Sequence, residues 1–499
     1  MVRAVRILAV LLTAMLPLAG CVSPPPAPGA DPDLLAVAAH ASPAQALTLM
    51  REQEERIARQ PFLPGNQVTL LVNGRESLSA LAAAIASAKH RVDMESYEFD
   101  RQAGNAFADL LLAARARGVE VNLIYDAWGT LDTPSALFTR LRQGGVRVLE
   151  YNPLRPNSRV PIDPNRRDHR KLLCVDGRVA ITGGVNISRV YENRPGHYAA
   201  DPDNQAWRDT DVRIEGPAVA QFERDFMETW RDQHGPPLAP PPPTPGVYRG
   251  SSLVQAIDGT PGDGRPLIYR TLLAAIALSR RSVHLTTGFF VPTPDLVHAL
   301  EAAARRGVDV QIVVPSRSTS SEALAAGRAT YEDLMEAGVR IHERLHRILH
   351  AKTAVIDGAW SAVGSSNLDW RSVLWNNEID AIIIDPRFGA QMETLFAADV
   401  AASRTIDPLA WRNRPLGERL EEWQAQLIQA LLERIYRTVF PPASPSGILR
   451  RPSSCLHARP PPLAHCRARA HGVAESVRVH ETSQGRDRHR QMEQVIGDR

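Results

Sequence analysis

Two short patterns, repeated once, limit what this chain can fold into. His169-Arg170-Lys171 with Asp176 recurs as His350-Ala351-Lys352 with Asp357. Gly183-Gly184-Val185-Asn186 follows the first copy and Gly364-Ser365-Ser366-Asn367 the second, each Asn lying 17 residues after its His. A single H-x-K-x4-D is a weak signal, but two copies, each with a matching G-[GS]-x-N, mark an internal duplication. The apolar residues after each Lys read as buried strands, in which side chains two apart face the same way. Each His therefore projects with its Lys. Asp176-Gly177 and Asp357-Gly358 are hairpin signals that fold Asn186 and Asn367 back toward the His. One half-site is then an imidazole, an ammonium and an amide. Two facing half-sites make a cage for a phosphate group, with one imidazole to attack and one to move a proton.

These motifs resemble the signature of the phospholipase D superfamily, and the resemblance extends over about residues 65–435. Further support comes from Trp207-Arg208-Asp209-Thr210-Asp211 after the first motif and Asn367-Leu368-Asp369-Trp370-Arg371-Ser372 in the second. The nearest likeness is to bacterial cardiolipin synthases. The resemblance implies an α/β fold of two similar α/β/α sandwich halves with the active site at their interface. It implies transfer of a phosphatidyl group through a covalent phosphohistidine, with His169 attacking and His350 protonating the leaving alcohol. Lys171, Lys352, Asn186 and Asn367 would hold the phosphate oxygens, Ser365 would add a hydroxyl, and Asp176 and Asp357 complete the motifs. In such proteins a carboxylate crosses from each half to the other's His, so Glu378 is expected to orient His169 and Asp209 to orient His350. Phosphatidylglycerol is the expected substrate, and hydrolysis of phospholipids is the competing reaction. No cofactor is expected, and no His or Cys set has metal-ligand spacing.

Composition narrows the partners. The net charge is +3, yet residues 441–499 alone hold ten Arg against five Asp and Glu, so residues 21–440 are mildly acidic. A nuclease normally carries a basic face for the phosphate backbone, so no nucleic-acid partner is expected. At the N-terminus, Arg3 and Arg6 precede an apolar run over residues 7–16 and then Leu18-Ala19-Gly20-Cys21. This reads as a secretory signal at 1–20 whose end is similar to a lipoprotein cleavage site, with lipid on Cys21. Val22 favours the outer membrane, with the protein lipid-anchored and facing the periplasm. Cys174 reads as a small buried hydrophobe.

Residues 21–64, rich in Pro and Ala at their start, read as a tether. The halves are expected at 65–235 and 250–440, joined by the Pro-rich 236–249. Strands alternating with helices in both halves predict a largely parallel sheet covered by helices. Apolar residues at helical spacing over 416–436 predict a helix packed on the core, or one lying on a membrane surface. Residues 441–499 lack periodicity and read as disordered. One chain holds both half-sites, so a monomer is expected to suffice.

Overall fold

The computed structural model describes residues 41–154, 165–192, 206–240, 247–260, 266–417 and positions 419, 420, 422, 424, 425 and 427. Cys21, the signal segment, most of the Pro-rich linker and the 441–499 tail lie outside the described residues.

The chain opens with helix α1 (Pro43–Ala58), capped by Ser42 and started by a proline. The first half then runs β1 (Leu63–Val72), α2 (Asn73–Ser87), β2 (Arg91–Ser96), α3 (Arg101–Ala116), β3 (Glu120–Asp126), α4 (Ser135–Gln143) and β4 (Arg147–Tyr151). It continues through β5 (Arg167–Asp168), β6 (Lys171–Val175), β7 (Val179–Gly183), β8 (Thr210–Glu215) and α5 (Val219–Asp232). The second half runs β9 (Ser252–Gly259), α6 (Leu267–Leu278), β10 (Ser282–Thr287), β11 (Phe290–Val291), α7 (Pro294–Arg305), β12 (Asp309–Pro315), α8 (Ser321–Arg328), α9 (Tyr331–Glu336) and β13 (Arg340–Arg344). It ends with β14 (Lys352–Ile356), β15 (Trp360–Gly364), β16 (Leu368–Asp369), α10 (Trp370–Leu374), β17 (Asn376–Ile384), α11 (Pro386–Ala401), β18 (Ser403–Thr405) and α12 (Pro408–Arg412).

The halves repeat one strand order: β1-β8-β7-β6-β2-β3-β4 in the first and β9-β17-β15-β14-β10-β12-β13 in the second. Within these orders β2-β3-β4 and β10-β12-β13 pair in parallel, while β6, β7 and β8 and their counterparts pair antiparallel. The expectation of a largely parallel sheet is corrected accordingly. These strands are covered on both faces, and burial on both faces produces the continuous apolar runs that parallel strands show.

Alternation along each motif strand builds two cores. Leu173 and Val175 face the helices of the first half, and Ala354 and Ile356 those of the second. Leu172, Cys174 and Val355 turn the other way, into an apolar layer shared by both halves. The halves thus meet face to face, as the sequence predicted. The ends of the motif strands are tied across this layer: β5 pairs with the start of β17, and Arg208 pairs with Leu349.

Two further expectations change. Residues 43–58 are no tether, because α1 buries Ala46, Met50 and Ile57, and Trp360 Nε1 donates to its Glu54 at 3.0 Å. In the helical segment after residue 415, Leu416, Leu420 and Leu427 are exposed while Glu422 and Ala425 are buried, so those leucines do not pack on the core. Trp423 and the positions beyond 427 lie outside the described residues.

Candidate active site

The site is assembled where β6 and β14 begin. His169 and His350 each stand two residues before the Lys that opens β6 or β14, and all four are buried. His169 N donates to Asn377 O at 2.9 Å, and His350 N donates to Arg208 O at 2.8 Å. Each histidine is therefore fixed to the other half by its own backbone, one residue ahead of the carboxylate its ring meets. Nδ1 of His169 lies 3.0 Å from Glu378 Oε2, and Nδ1 of His350 lies 2.8 Å from Asp209 Oδ2. The structure thus brings both expected carboxylates to the expected rings.

Glu378 is heavily held. Ser365 Oγ donates to its Oε2 at 2.6 Å, Ser372 Oγ to its Oε1 at 2.8 Å, and Asn376 Nδ2 reaches Oε1 at 3.3 Å. Burial pushes the Glu378 carboxyl up, but the imidazole, the nearby lysine and these hydroxyls together hold it below the usual range. Burial likewise opposes ionisation of Asp209, and His350 and Lys352 more than offset it. Burial, reinforced by the lysines, pushes both imidazoles down, His169 to about 4 and His350 to about 3. The resting pairs are consequently neutral imidazole and carboxylate, with the Nδ1 proton donated to the carboxylate and the Nε2 lone pair left to react.

Lys171 Nζ donates to His169 O at 2.6 Å, and Lys352 Nζ donates to His350 O. An ammonium has three donors, so two on each lysine remain for substrate oxygens. Burial lowers Lys171 to about 8, with Lys352 adding to the effect. Asn186 Oδ1 accepts from Glu98 N at 3.4 Å, and Asn367 Oδ1 is buried with no hydrogen-bond partner, a group waiting for a donor.

Three sequence-derived site residues sit elsewhere. Asp176 and Asp357 close type I′-like turns at the far ends of β6 and β14, with φ of 54° at both. Asp176 accepts from the backbone N of Lys89, His90 and Arg91, each at 2.8 Å, and Asp357 from Arg280, Arg281 and Ser282. These contacts anchor β2 and β10; no contact of either carboxylate reaches the histidines. These two motif aspartates therefore serve their turns, as the Asp-Gly signals indicated, and do not join the catalytic residues: four strand residues separate each from its Lys. Ser365, expected on the phosphate, spends its hydroxyl on Glu378.

Sequence reasoning missed Tyr191. Its hydroxyl lies 3.1 Å from His350 Nδ1, sharing that nitrogen with Asp209. Ser372, which braces Glu378, stands in the second copy where Tyr191 stands in the first, five residues after the motif Asn in both. The shared position five residues after each Asn is the one sequence sign of either, and the unlike residue types mask it. Rings line the rest of the site. Tyr97 packs edge-on to His169 at 5.0 Å, with Lys171 Nζ 5.1 Å from its centroid. Tyr191, Trp207 and Phe289 surround His350 at 6.0, 5.3 and 6.3 Å.

The sequence matches the family described as cardiolipin synthase, PLD-like domain, over residues 81–230 and 272–400. The chain belongs to this family. Its members are phosphatidyltransferases of the phospholipase D superfamily, and the two matched segments are the two halves described above. The chain is 33% identical to cardiolipin synthase A of Yersinia pseudotuberculosis serotype O:1b (strain IP 31758) over 366 residues, 72% of this chain and 74% of that protein. It is 30% identical to the cardiolipin synthase of Geobacillus thermodenitrificans (strain NG80-2) over 385 residues, 76% of this chain and 74% of the relative. Among solved structures, the phosphatidylserine synthase of Haemophilus influenzae Rd KW20 shares the fold, with a TM-score of 0.54 at 15% identity, covering 78% of this chain and 99% of that one.

Proposed function

We propose that this cardiolipin synthase family member joins two phosphatidylglycerol molecules, releasing glycerol, by way of a phosphohistidine on His169. The observation that carries the reading is the paired arrangement of two neutral imidazoles, each with Nδ1 against a carboxylate from the opposite half. In the first step His169 Nε2 attacks phosphorus. The bond from phosphorus to the head-group glycerol oxygen breaks, and a proton from His350 goes to that oxygen. In the second step His350 takes the proton of a hydroxyl on the second phosphatidylglycerol. The freed oxygen attacks phosphorus, the N–P bond breaks, and His169 returns to its starting state. Lys171, Lys352 and the two motif asparagines face the charge gathered on the phosphoryl oxygens.

His350 must be protonated for the first step. An incoming phosphodiester anion beside the ring supports that proton. Asp209 and Glu378 hold the Nδ1 protons and the ring orientations. The substrate is a membrane lipid, and the rim suits one. Trp128 and Leu131 are exposed on the loop after β3, and that loop is bound through Asp126 to Asp168, beside His169. Lipid on Cys21 would hold the protein at an envelope membrane, the outer one by its Val22.

The test is incubation of the purified protein with phosphatidylglycerol vesicles, with His169→Ala alongside. Cardiolipin and glycerol in equal amounts, absent in the variant, are expected. Phosphatidic acid alone would make water the acceptor and overturn the transferase reading. A phosphatidyl ester of p-nitrophenol, whose leaving group needs no proton, assigns the roles: His350→Asn should still accumulate a phosphatidyl group on His169, seen by mass spectrometry. A phosphatidyl group on His350 in the reciprocal variant would reverse the assignment.

A further inference from the structure

The two halves differ in one respect that the duplicated motifs hide. In the second half a cleft lies between the sheet and helix α6 and borders the site through Lys352 and Asn367. Its apolar walls include Leu285, Ala354, Ala362 and Ile382 from the sheet and Ile268 and Leu272 from α6. The sequence explains the space. Counting from each motif His, Ala354 occupies the place of Leu173, and Ala362 that of Ile181. In the first half those larger residues are fully buried and fill the core. The paired partners agree, since Met94 faces Leu173 as Leu285 faces Ala354.

Space of this kind, walled by hydrocarbon, is costly to leave unfilled. Lys352 and Asn367 on its wall belong to the proposed phosphate site. The carboxyl of Asp380 also borders the cleft, pushed up to about 8 by burial and by Glu378, so it is neutral at pH 7. A glycerol head group would strand its hydroxyls among Leu, Ile and Ala side chains, whereas a hydrocarbon chain would lose nothing.

We propose that this cleft takes the first several carbons of one acyl chain of a phospholipid whose phosphate is held at Lys352. The inference deepens the proposed function, giving the second half an acyl subsite that the first half lacks. A lipid bound there would be lifted partly out of its bilayer, chain first, with its phosphate delivered to the histidines.

The experiment restores the first half's residues in the second, as Ala354→Leu with Ala362→Ile. Binding of butyl, hexyl and octyl phosphate, all monomeric in solution, is measured by calorimetry on the whole protein. In the parent, affinity should climb up to about fourfold for each methylene buried. In the double variant the climb should vanish while inorganic phosphate, which has no chain, binds as it does to the parent. Equal chain-length slopes in the two proteins would overturn the proposal. A thermal melt checks folding, and Ala362→Ile alone, measured in the same way, should show a reduced slope if the double variant does not fold. Phosphatidylglycerol turnover is followed separately. Chain-dependent binding without turnover would sink the proposed function and leave the cleft. Turnover with equal slopes would sink the cleft alone.

Discussion

Nδ1 of His169 lies 3.0 Å from Oε2 of Glu378, a residue 209 positions further along the chain and in the other half of the molecule. His350 and Asp209 make the reciprocal contact. Neither half holds a complete catalytic unit: each supplies a histidine to one pair and a carboxylate to the other.

Replacing Glu378 by Gln keeps the shape but removes the charge that holds the Nδ1 proton of His169. The rate should fall by about 10²–10⁴ with little change in KM, as when a ring-orienting carboxylate is neutralised elsewhere. Steady-state kinetics on phosphatidylglycerol and the rate of phosphohistidine formation check this. A rise in KM alone would mean that Glu378 only shapes the pocket.

Tyr191→Phe removes one of two groups on Nδ1 of His350. The phenol oxygen stabilises the imidazolium, so its loss should lower kcat about tenfold. The limb of the pH–rate profile that requires protonated His350 should move to lower pH. An unchanged profile with a reduced rate would assign the tyrosine to packing alone.

Asp176→Ala and Asp357→Ala each strip the acceptor from three backbone N–H groups. Stability should drop by about 1–3 kcal/mol in each, read by urea unfolding. The turnover of each folded molecule, counted by burst titration of phosphohistidine, should stay near the parent's. A large loss of turnover at unchanged stability would return these residues to the chemistry.

Asp380 carries a pH signature. Its carboxyl titrates near 8 in the folded protein, raised by burial and by Glu378, against the ordinary 3.8 of an unfolded chain. Between those values the unfolded state has released a proton that the folded state keeps, so rising pH favours unfolding. Asp380→Asn, which keeps an acceptor for Ser366 N, removes this loss. Its melting temperature should match the parent's near pH 4 and exceed it by on the order of 2 °C or more by pH 8. A difference independent of pH would show that Asp380 is not the titrating group.

Much of this was legible in the repeat. The H-x-K spacing located both His–Lys pairs, the Asp-Gly pairs marked the hairpins, and the family resemblance implied that Glu378 and Asp209 cross between the halves. Tyr191 was not legible, because Tyr and Ser at matching positions look unrelated until each is seen to brace a catalytic pair. The strand directions were hidden by burial on both faces, which erases the alternation that marks an antiparallel strand. Helix α1 was hidden by the Pro-rich run before it, although Ala46, Met50, Glu54 and Ile57 fall at helical spacing. The turn role of Asp176 was legible in its Asp-Gly pair; its three amide contacts to the start of β2 were not.

The crossing of carboxylates also sets when the enzyme can first act. As the chain leaves the ribosome, His169 is made long before Glu378, and through that interval its ring has no partner for Nδ1. The apolar face that includes Leu172 and Cys174 is uncovered over the same stretch of synthesis. Docking of the second half therefore covers that face and supplies both missing partners, so neither catalytic pair exists before both halves have been made.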